Sequence, residues 1–343
     1  MENAAERPII GITMGDPVGI GPELICRALL DPDIFHYCRP LVIGDAGIIE
    51  SARRVVHSGQ ALAVVDSPDA GAYEPGRIDL YSISNLDPSS IQWGSPTALT
   101  GRSMIDYITT GIDMAMTGEI AALVTCPINK TAMKLAASRF HGHTELLAHR
   151  TGASRYAMMM AGQRLRVVLV TIHTPLRQVP AQLSQEGVWE TIQITHRALK
   201  ESFGIDRPQI AVAGLNPHAG EGDMFGDEES RVIAPAVLQA VAAGMDVAGP
   251  FPPDTIFYHA VDGPYDAVVC MYHDQGLIPF KMIHFSDGVN TTLGLPIVRT
   301  SVDHGTAYDI AGKGVADHGS LTAAIALARE QAVNRLHRVP AST

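Results

Sequence analysis

Three histidines stand just beyond apolar, β-branched runs. RVVLVTI (166–172) leads into His173, IAVAGL (210–215) is followed by Asn216, Pro217 and His218, and YDAVVCM (265–271) leads through Tyr272 to His273. If each run is a strand, each delivers one imidazole at its C-terminal end, the edge where the connecting loops of an open α/β sheet part and ligands bind. Three imidazoles converging there would hold zinc or a similar divalent metal and leave a coordination position for substrate. Asn216 and Asp274 are polar neighbours of the kind that orient a ligating ring. Any single one of the 14 histidines serves as well to cap a strand end or bond a loop carbonyl, and only the repetition favours a metal.

A second group of residues suits an anion. HGHTE (141–145) offers His143 and Thr144 where a helix begins, and a helix N-terminus with imidazole and hydroxyl donors binds phosphate or carboxylate. A plain capping turn has the same local sequence. Lys281, Asn290 (in GVNTT) and Arg299 (in PIVRT) add an ammonium, an amide and a guanidinium; Lys and Arg bind phosphate oxygens, Arg in bidentate fashion. Isolated basic residues otherwise face water, but these lie in glycine-rich, apolar surroundings. For a nucleotide the familiar fingerprint is missing: Gly15, Gly19 and Gly21 in GDPVGIGPE do not fit GxGxxG. The segment 301–317 is the better nucleotide loop. His304, Gly305 and Thr306 open it, Asp309 follows, and Gly312 and Gly314 close it; small residues let a backbone approach adenine or pyrophosphate.

The elements that must position these residues follow from periodicity. Short apolar runs at 8–14, 40–45, 120–125, 156–161, 166–172, 210–215 and 265–271 read as strands covered on both faces. Amphipathic stretches near 20–30, 47–57, 96–119, 184–203, 228–243 and 319–336 read as helices. The alternation predicts an α/β fold, with one lobe of residues 1–129 and 281–343 and a second of 130–280 carrying the metal ligands. After His273 the chain is expected to bend at Gly276. The 343 residues suffice for two such lobes. A net charge of -11 argues against general nucleic-acid binding, and no apolar run approaches the roughly 20 residues that cross a bilayer. The beginning MENAAERP has no signal pattern, and Cys26, Cys38, Cys126 and Cys270 form no CxxC pair, so the expectation is a cytoplasmic protein with buried thiols.

The loops GDPVGIGPE and HGTAYDIAGKGVAD resemble the N-terminal and adenine-binding loops of the isocitrate and isopropylmalate dehydrogenases, which bind NAD(P) without a Rossmann fold. A fuller resemblance runs along nearly the whole chain. ITMGDPVGIGPE, TCPINK, GHTELLA, LNPHAGEGDMFGDEE, PPDT, YHDQGLIPFK, GVNTTLGLPIVRTSVDHGTA and AGKGVAD, in this order, are similar to the 4-hydroxythreonine-4-phosphate dehydrogenase family of vitamin B6 biosynthesis. The resemblance implies two α/β lobes with a cleft between them and an obligate homodimer sharing its sites. It further implies one divalent metal (zinc, magnesium, manganese or cobalt) per site on His173, His218 and His273, one of the three crossing from the partner, with His273 the one donated. His143, Thr144, Lys281, Asn290 and Arg299 would bind a phosphorylated substrate, His304, Gly305, Thr306 and Asp309 would serve NAD or NADP, and Asp254 (in PPDT) or Lys281 would be the base. The reaction implied is oxidation of 4-phosphohydroxy-L-threonine to 2-amino-3-oxo-4-(phosphonooxy)butanoate, which decarboxylates to 3-amino-2-oxopropyl phosphate. HGHTELL, MFGDEE and PPDT are also similar to a sister group acting on 4-phosphorylated threonate or erythronate. A phosphate acyltransferase and a non-catalytic binding protein are the other classes open at this level. The first needs neither the three histidines nor the nucleotide loop, and the second predicts metal binding without turnover.

Overall fold

Aliphatic and β-branched side chains pack well on a pleated surface, and a run that is apolar at every position needs cover on both faces. The structure, a computed structural model, describes residues 7–140 and 142–338. Its strands, in chain order, are β1 (Ile9–Thr13), β2 (Arg39–Asp45), β3 (Ala61–Val64), β4 (Arg77–Ser84), β5 (Ala122–Thr125), β6 (Ala157–Ala161), β7 (Arg166–Leu169), β8 (Gln209–Ala213), β9 (Asp246–Phe251), β10 (Ala267–Cys270), β11 (Val289–Leu293) and β12 (Arg299–Val302). Helices alternate with most of them, as the α/β pattern requires. No helix among the described residues is long and apolar enough to cross a membrane. The four cysteines are buried and free, as expected.

The chain divides into two compact units, Met1–Ser154 with Leu295–Thr343, and Arg155–Gly294. In the first, the strands lie in the order β3-β4-β2-β1-β5-β12, and each neighbouring pair is parallel. β1 and β5 are buried at every residue. The helix Ala98–Thr117 packs against β1, β2 and β5, and Gly319–Arg338 against β12 and β5. Thr97, rather than the preceding proline, starts the first of these: its hydroxyl accepts from Thr100 N while Thr100 Oγ1 accepts from Thr97 N. Such reciprocal capping satisfies two amides that a helix end leaves without partners. Helices Lys130–Leu135 and His143–Thr151 also pack on Ala98–Thr117. That packing carries residues 130–154 into the first unit, not into the second as their sequence position had implied.

In the second unit the order is β11-β6-β7-β10-β8-β9. β6 is antiparallel to both neighbours, and β7, β10, β8 and β9 are mutually parallel. Pairing of β11 with β6 keeps residues 281–294 in this unit, against the expected boundary at 280. The core gathers Val167, Leu169, Ala211, Val268 and Phe280; burying Phe280 alone contributes about 1.5–3 kcal/mol. Gly276 does not bend the chain. It lies inside the helix His273–Ile283, where a Cβ would stand 3.1 Å from both Cys270 Sγ and Leu169 Cδ2. Glycine is used there to bring helix and strand together. β3, β4, β9, β11 and β12 escaped the periodicity reading, and RTSV of β12 shows why: a polar-rich tetrapeptide is wholly buried, so long-range pairing rather than local composition makes it a strand.

Candidate functional site

β7 and β10 are parallel neighbours, and their pairing continues past the strand ends. Val170 N donates to Cys270 O (2.9 Å), and Thr171 donates to Met271 O through both N (3.2 Å) and Oγ1 (2.7 Å). Two residues farther along each chain, the His173 and His273 rings lie side by side with centroids 5.9 Å apart. Both line a cavity of about 250 Å³ together with Thr174, Tyr272 and Asp274. His273 Nδ1 is 2.7 Å from Asp274 Oδ1, which orients the ring and leaves Nε2 for another partner. A carboxylate behind an imidazole raises its basicity as a ligand. Gln275, buried, ties the neighbouring strand ends: its Oε1 accepts from Met271 N and its Nε2 donates to Gly214 O, each at 2.6 Å.

His218 follows β8, the other neighbour of β10, but its ring packs on Phe225 with centroids 6.0 Å apart. It opens a run in which residues 218 to 223 all have φ between +42° and +81°. Four of these carry side chains, for which the left-handed region costs roughly 1–2 kcal/mol per residue. Among the described residues, no three His, Cys, Asp or Glu side chains group as a metal site. One chain therefore brings two of the three histidines together and holds the third apart. Two adjacent imidazoles, one backed by a carboxylate, fit the donor chemistry of a borderline divalent cation.

In the first unit, His143 opens the helix His143–Thr151, with Thr144 next to it. Its Nε2 is buried and has no hydrogen-bond partner among the described residues. Burial, followed by the charge of Arg299, holds its pKa well below 6.5, so the ring is neutral. Arg299 begins β12, is 3% exposed, and donates from Nη2 to Thr125 Oγ1 at 2.7 Å. Burial pushes its pKa down to about 9, which leaves it protonated at neutral pH. Thr13 Oγ1, on the strand residue paired with Thr125, is another buried atom without a hydrogen-bond partner among the described residues. Buried polar atoms are rarely left unsatisfied. An orphaned imidazole nitrogen within the field of a buried guanidinium is the donor chemistry of an anion site.

The remaining expected substrate and base residues lie in the second unit. Lys281 sits in the last turn of His273–Ile283 with Nζ 5.7 Å from the centre of the Phe285 ring. Asn290 is on β11 opposite Met160, and Asp254 is exposed in the turn between β9 and the helix Ile256–Val261.

The expected nucleotide loop is fastened to the GDPVGIGPE turn, both within the first unit. Ile20 N donates to Thr306 O (3.1 Å), and Tyr308 Oη donates to Asp16 Oδ2 (2.5 Å). Glu23, fully buried, accepts from Gly312 N (2.5 Å) through Oε1 and from Gly314 N (2.8 Å) through Oε2. Burial raises the pKa of Asp16 and of Glu23, and these hydrogen bonds oppose it. Gly15 has φ +73°, and a Cβ there would stand 2.4 Å from Pro127 O, so the tight turn admits only glycine. His304 and Asp309 are exposed, Thr306 is buried, and Gly305 has open space where a side chain would project. That opening fits a flat ring laid against the backbone. Sequence reading missed Glu23, Gln275 and Asp16; the available signal was an ionisable or amide side chain inside an otherwise glycine-rich or apolar motif.

Comparison with known proteins agrees with this architecture. The family model described as pyridoxal phosphate biosynthetic protein PdxA matches residues 36–328. A 4-hydroxythreonine-4-phosphate dehydrogenase from Desulforapulum autotrophicum is 61% identical over 97% of this chain and 99% of its own. A D-threonate 4-phosphate dehydrogenase from Cupriavidus necator is 44% identical over 96% and 98%. The crystal structure of a 4-hydroxythreonine-4-phosphate dehydrogenase from Klebsiella pneumoniae superposes with a TM-score of 0.87 at 41% identity, over 97% of this chain and 100% of that one. With the match spanning both units and every motif quoted above except the first, ITMGDPVGIGPE, which precedes the matched residues, the chain belongs to the PdxA family and, with it, to the oxidoreductases.

Proposed function

We propose that the protein oxidises the secondary alcohol of 4-phosphohydroxy-L-threonine with NAD or NADP and one divalent cation per site, as a homodimer serving pyridoxal 5'-phosphate synthesis. The product, 2-amino-3-oxo-4-(phosphonooxy)butanoate, is a β-keto acid and loses carbon dioxide to give 3-amino-2-oxopropyl phosphate. The observation that carries the reading is a buried Arg299 whose charge acts on the neutral, orphaned His143, in a chain 61% identical to a dehydrogenase named for this substrate. Arg299 and His143 bind the phosphate, Arg299 through its planar fork and His143 through Nε2, with the Thr144 hydroxyl beside them. Asn290 and Lys281 orient the polar groups of the carbon chain, and Asp254 or Lys281 takes the hydroxyl proton. His173, His218 and His273 would hold the cation; when bound, the cation eases negative charge on the reacting oxygen and the nicotinamide accepts hydride. Exposed apolar residues of the second unit, Leu176 in the cavity of His173 and His273 and Ile278, Met282 and Phe285 along and just past the helix that His273 begins, support burial of this surface against a second copy.

The 44% identity to a D-threonate 4-phosphate dehydrogenase favours a second reading, in which hydroxyl replaces the substrate amine. Absorbance at 340 nm decides between them, with NAD, a divalent metal and each candidate in turn. Faster turnover of 4-phosphohydroxy-L-threonine than of 4-phospho-D-threonate or D-erythronate 4-phosphate is expected. A preference for either acid assigns the chain to sugar-acid catabolism, and no reduction of NAD or of NADP with any of the three rejects the proposed substrates.

Glu23→Gln tests the nucleotide loop. Gln keeps one acceptor but turns a donor toward the second amide, removing a charge-assisted bond that contributes about 1.5–3 kcal/mol. The KM for NAD is expected to rise about tenfold or more with little change in kcat, and proteolysis within 303–317 to quicken. An unchanged KM for NAD would sink the assignment of this loop.

A further inference from the structure

The run from His218 to Asp223 is left-handed at six successive residues, and only two of them, Gly220 and Gly222, are glycine. L-residues do not hold such a conformation unaided, so the surroundings must impose it. Its own backbone supplies little: Ala219 N donates to Asn216 O (3.1 Å), Glu221 N to His218 O (3.3 Å) and Phe225 N to Gly220 O (3.1 Å). Glu229, which is 4% exposed, braces the residues that lead into the run. Glu229 Oε1 accepts from Leu215 N (2.7 Å) and Asn216 N (2.8 Å), and Oε2 accepts from Asn216 Nδ2 (2.9 Å). Asn216 Nδ2 also donates to Glu228 Oε2 at 2.7 Å. The carboxylate fills the inside of the loop so closely that a Cβ on Gly214 or Gly220 would stand 2.9 Å from one of its oxygens. Glu229 is itself the first residue of a five-residue π-helical turn, Glu229–Ile233, a local widening frequent at functional sites.

We propose that Glu229, through Asn216 and the 214–220 backbone, is the positioning residue that presents the His218 imidazole to a divalent cation. The inference rests on the reading of His218 as a metal ligand. Glu229 does not touch the ion in this account; it removes the freedom that His218 would otherwise lose on binding, as supporting residues do around ligating histidines.

The test is zinc affinity of the purified dimer, measured by competition with a chromophoric chelator for the wild type, His218→Ala, Glu229→Gln and the double variant, with melting temperatures to establish that each is folded. Glu229→Gln is expected to weaken zinc binding about tenfold to a hundredfold, His218→Ala to weaken it further, and the double variant to bind no more weakly than His218→Ala alone. Wild-type affinity in Glu229→Gln alongside weakened binding in His218→Ala overturns the positioning role and leaves the ligand reading standing. Wild-type affinity in His218→Ala overturns both. Losses that add in the double variant show Glu229 acting elsewhere and overturn the proposal. Should Glu229→Gln fail to fold, Asn216→Ser, which removes the Nδ2 bonds to both carboxylates and keeps the two backbone bonds to Glu229 Oε1, is measured in its place, with a smaller loss of zinc affinity expected and the same outcomes overturning the proposal.

Discussion

Arg299→Ala is expected to raise the KM for the phosphorylated substrate by about two to three and a half orders of magnitude. Arg299 is 3% exposed, and its charge reaches the orphaned His143. A phosphate bound there is desolvated with it, and breaking such a buried charge pair costs about 3–5 kcal/mol, each 1.4 kcal/mol being tenfold. Arg299→Lys keeps the charge but not the fork and should fall between the two. Inorganic phosphate reports the same contact without turnover: it should raise the melting temperature of the wild type and not that of Arg299→Ala. Equal phosphate protection in both proteins, with an unchanged KM, removes Arg299 from the substrate site.

The second large effect is expected from His273→Ala, which should abolish bound metal and lower kcat about a thousandfold or more while leaving a folded dimer. A divalent cation at a developing alkoxide contributes several kcal/mol of transition-state stabilisation, and the His273 ring is oriented by Asp274 at 2.7 Å. Asp274→Asn should cost less, about tenfold to a hundredfold in metal affinity, because the ligand remains and only its orientation suffers. Metal content by mass spectrometry and initial rates measure both; normal stoichiometry with normal turnover in His273→Ala would reject the site. A dimer assembled from one His173→Ala and one His273→Ala copy separates two arrangements of the ligands. Close to half the activity returns if His273 serves the partner's site, and none if both rings serve the same one.

Much of this was legible in the chain. Aliphatic runs such as IIGIT and AVVC mark parallel strands because a strand covered on both faces has no position for a polar side chain. The helix at 96–119 was visible from its periodicity and is observed at Ala98–Thr117. The strand VNTTL and the division between units were not visible: a polar strand is made by its neighbours, and the helix Lys130–Leu135 joins the first unit because of what it packs against.

The sequence by itself determined the chemistry on offer. Histidines follow three apolar runs, the glycines of GDPVGIGPE do not form a Rossmann fingerprint, and the ordered motifs identify the family, because residue type and local spacing are one-dimensional properties. Only the tertiary structure decided which groups meet. His173 and His273 are neighbours because β7 and β10 pair in parallel across some hundred residues of chain, while His218, one strand away, is held apart in a left-handed run around Glu229. The burial that orphans His143 and desolvates Arg299 is likewise set by side chains distant in sequence, and no local pattern encodes the dielectric that a folded neighbour supplies.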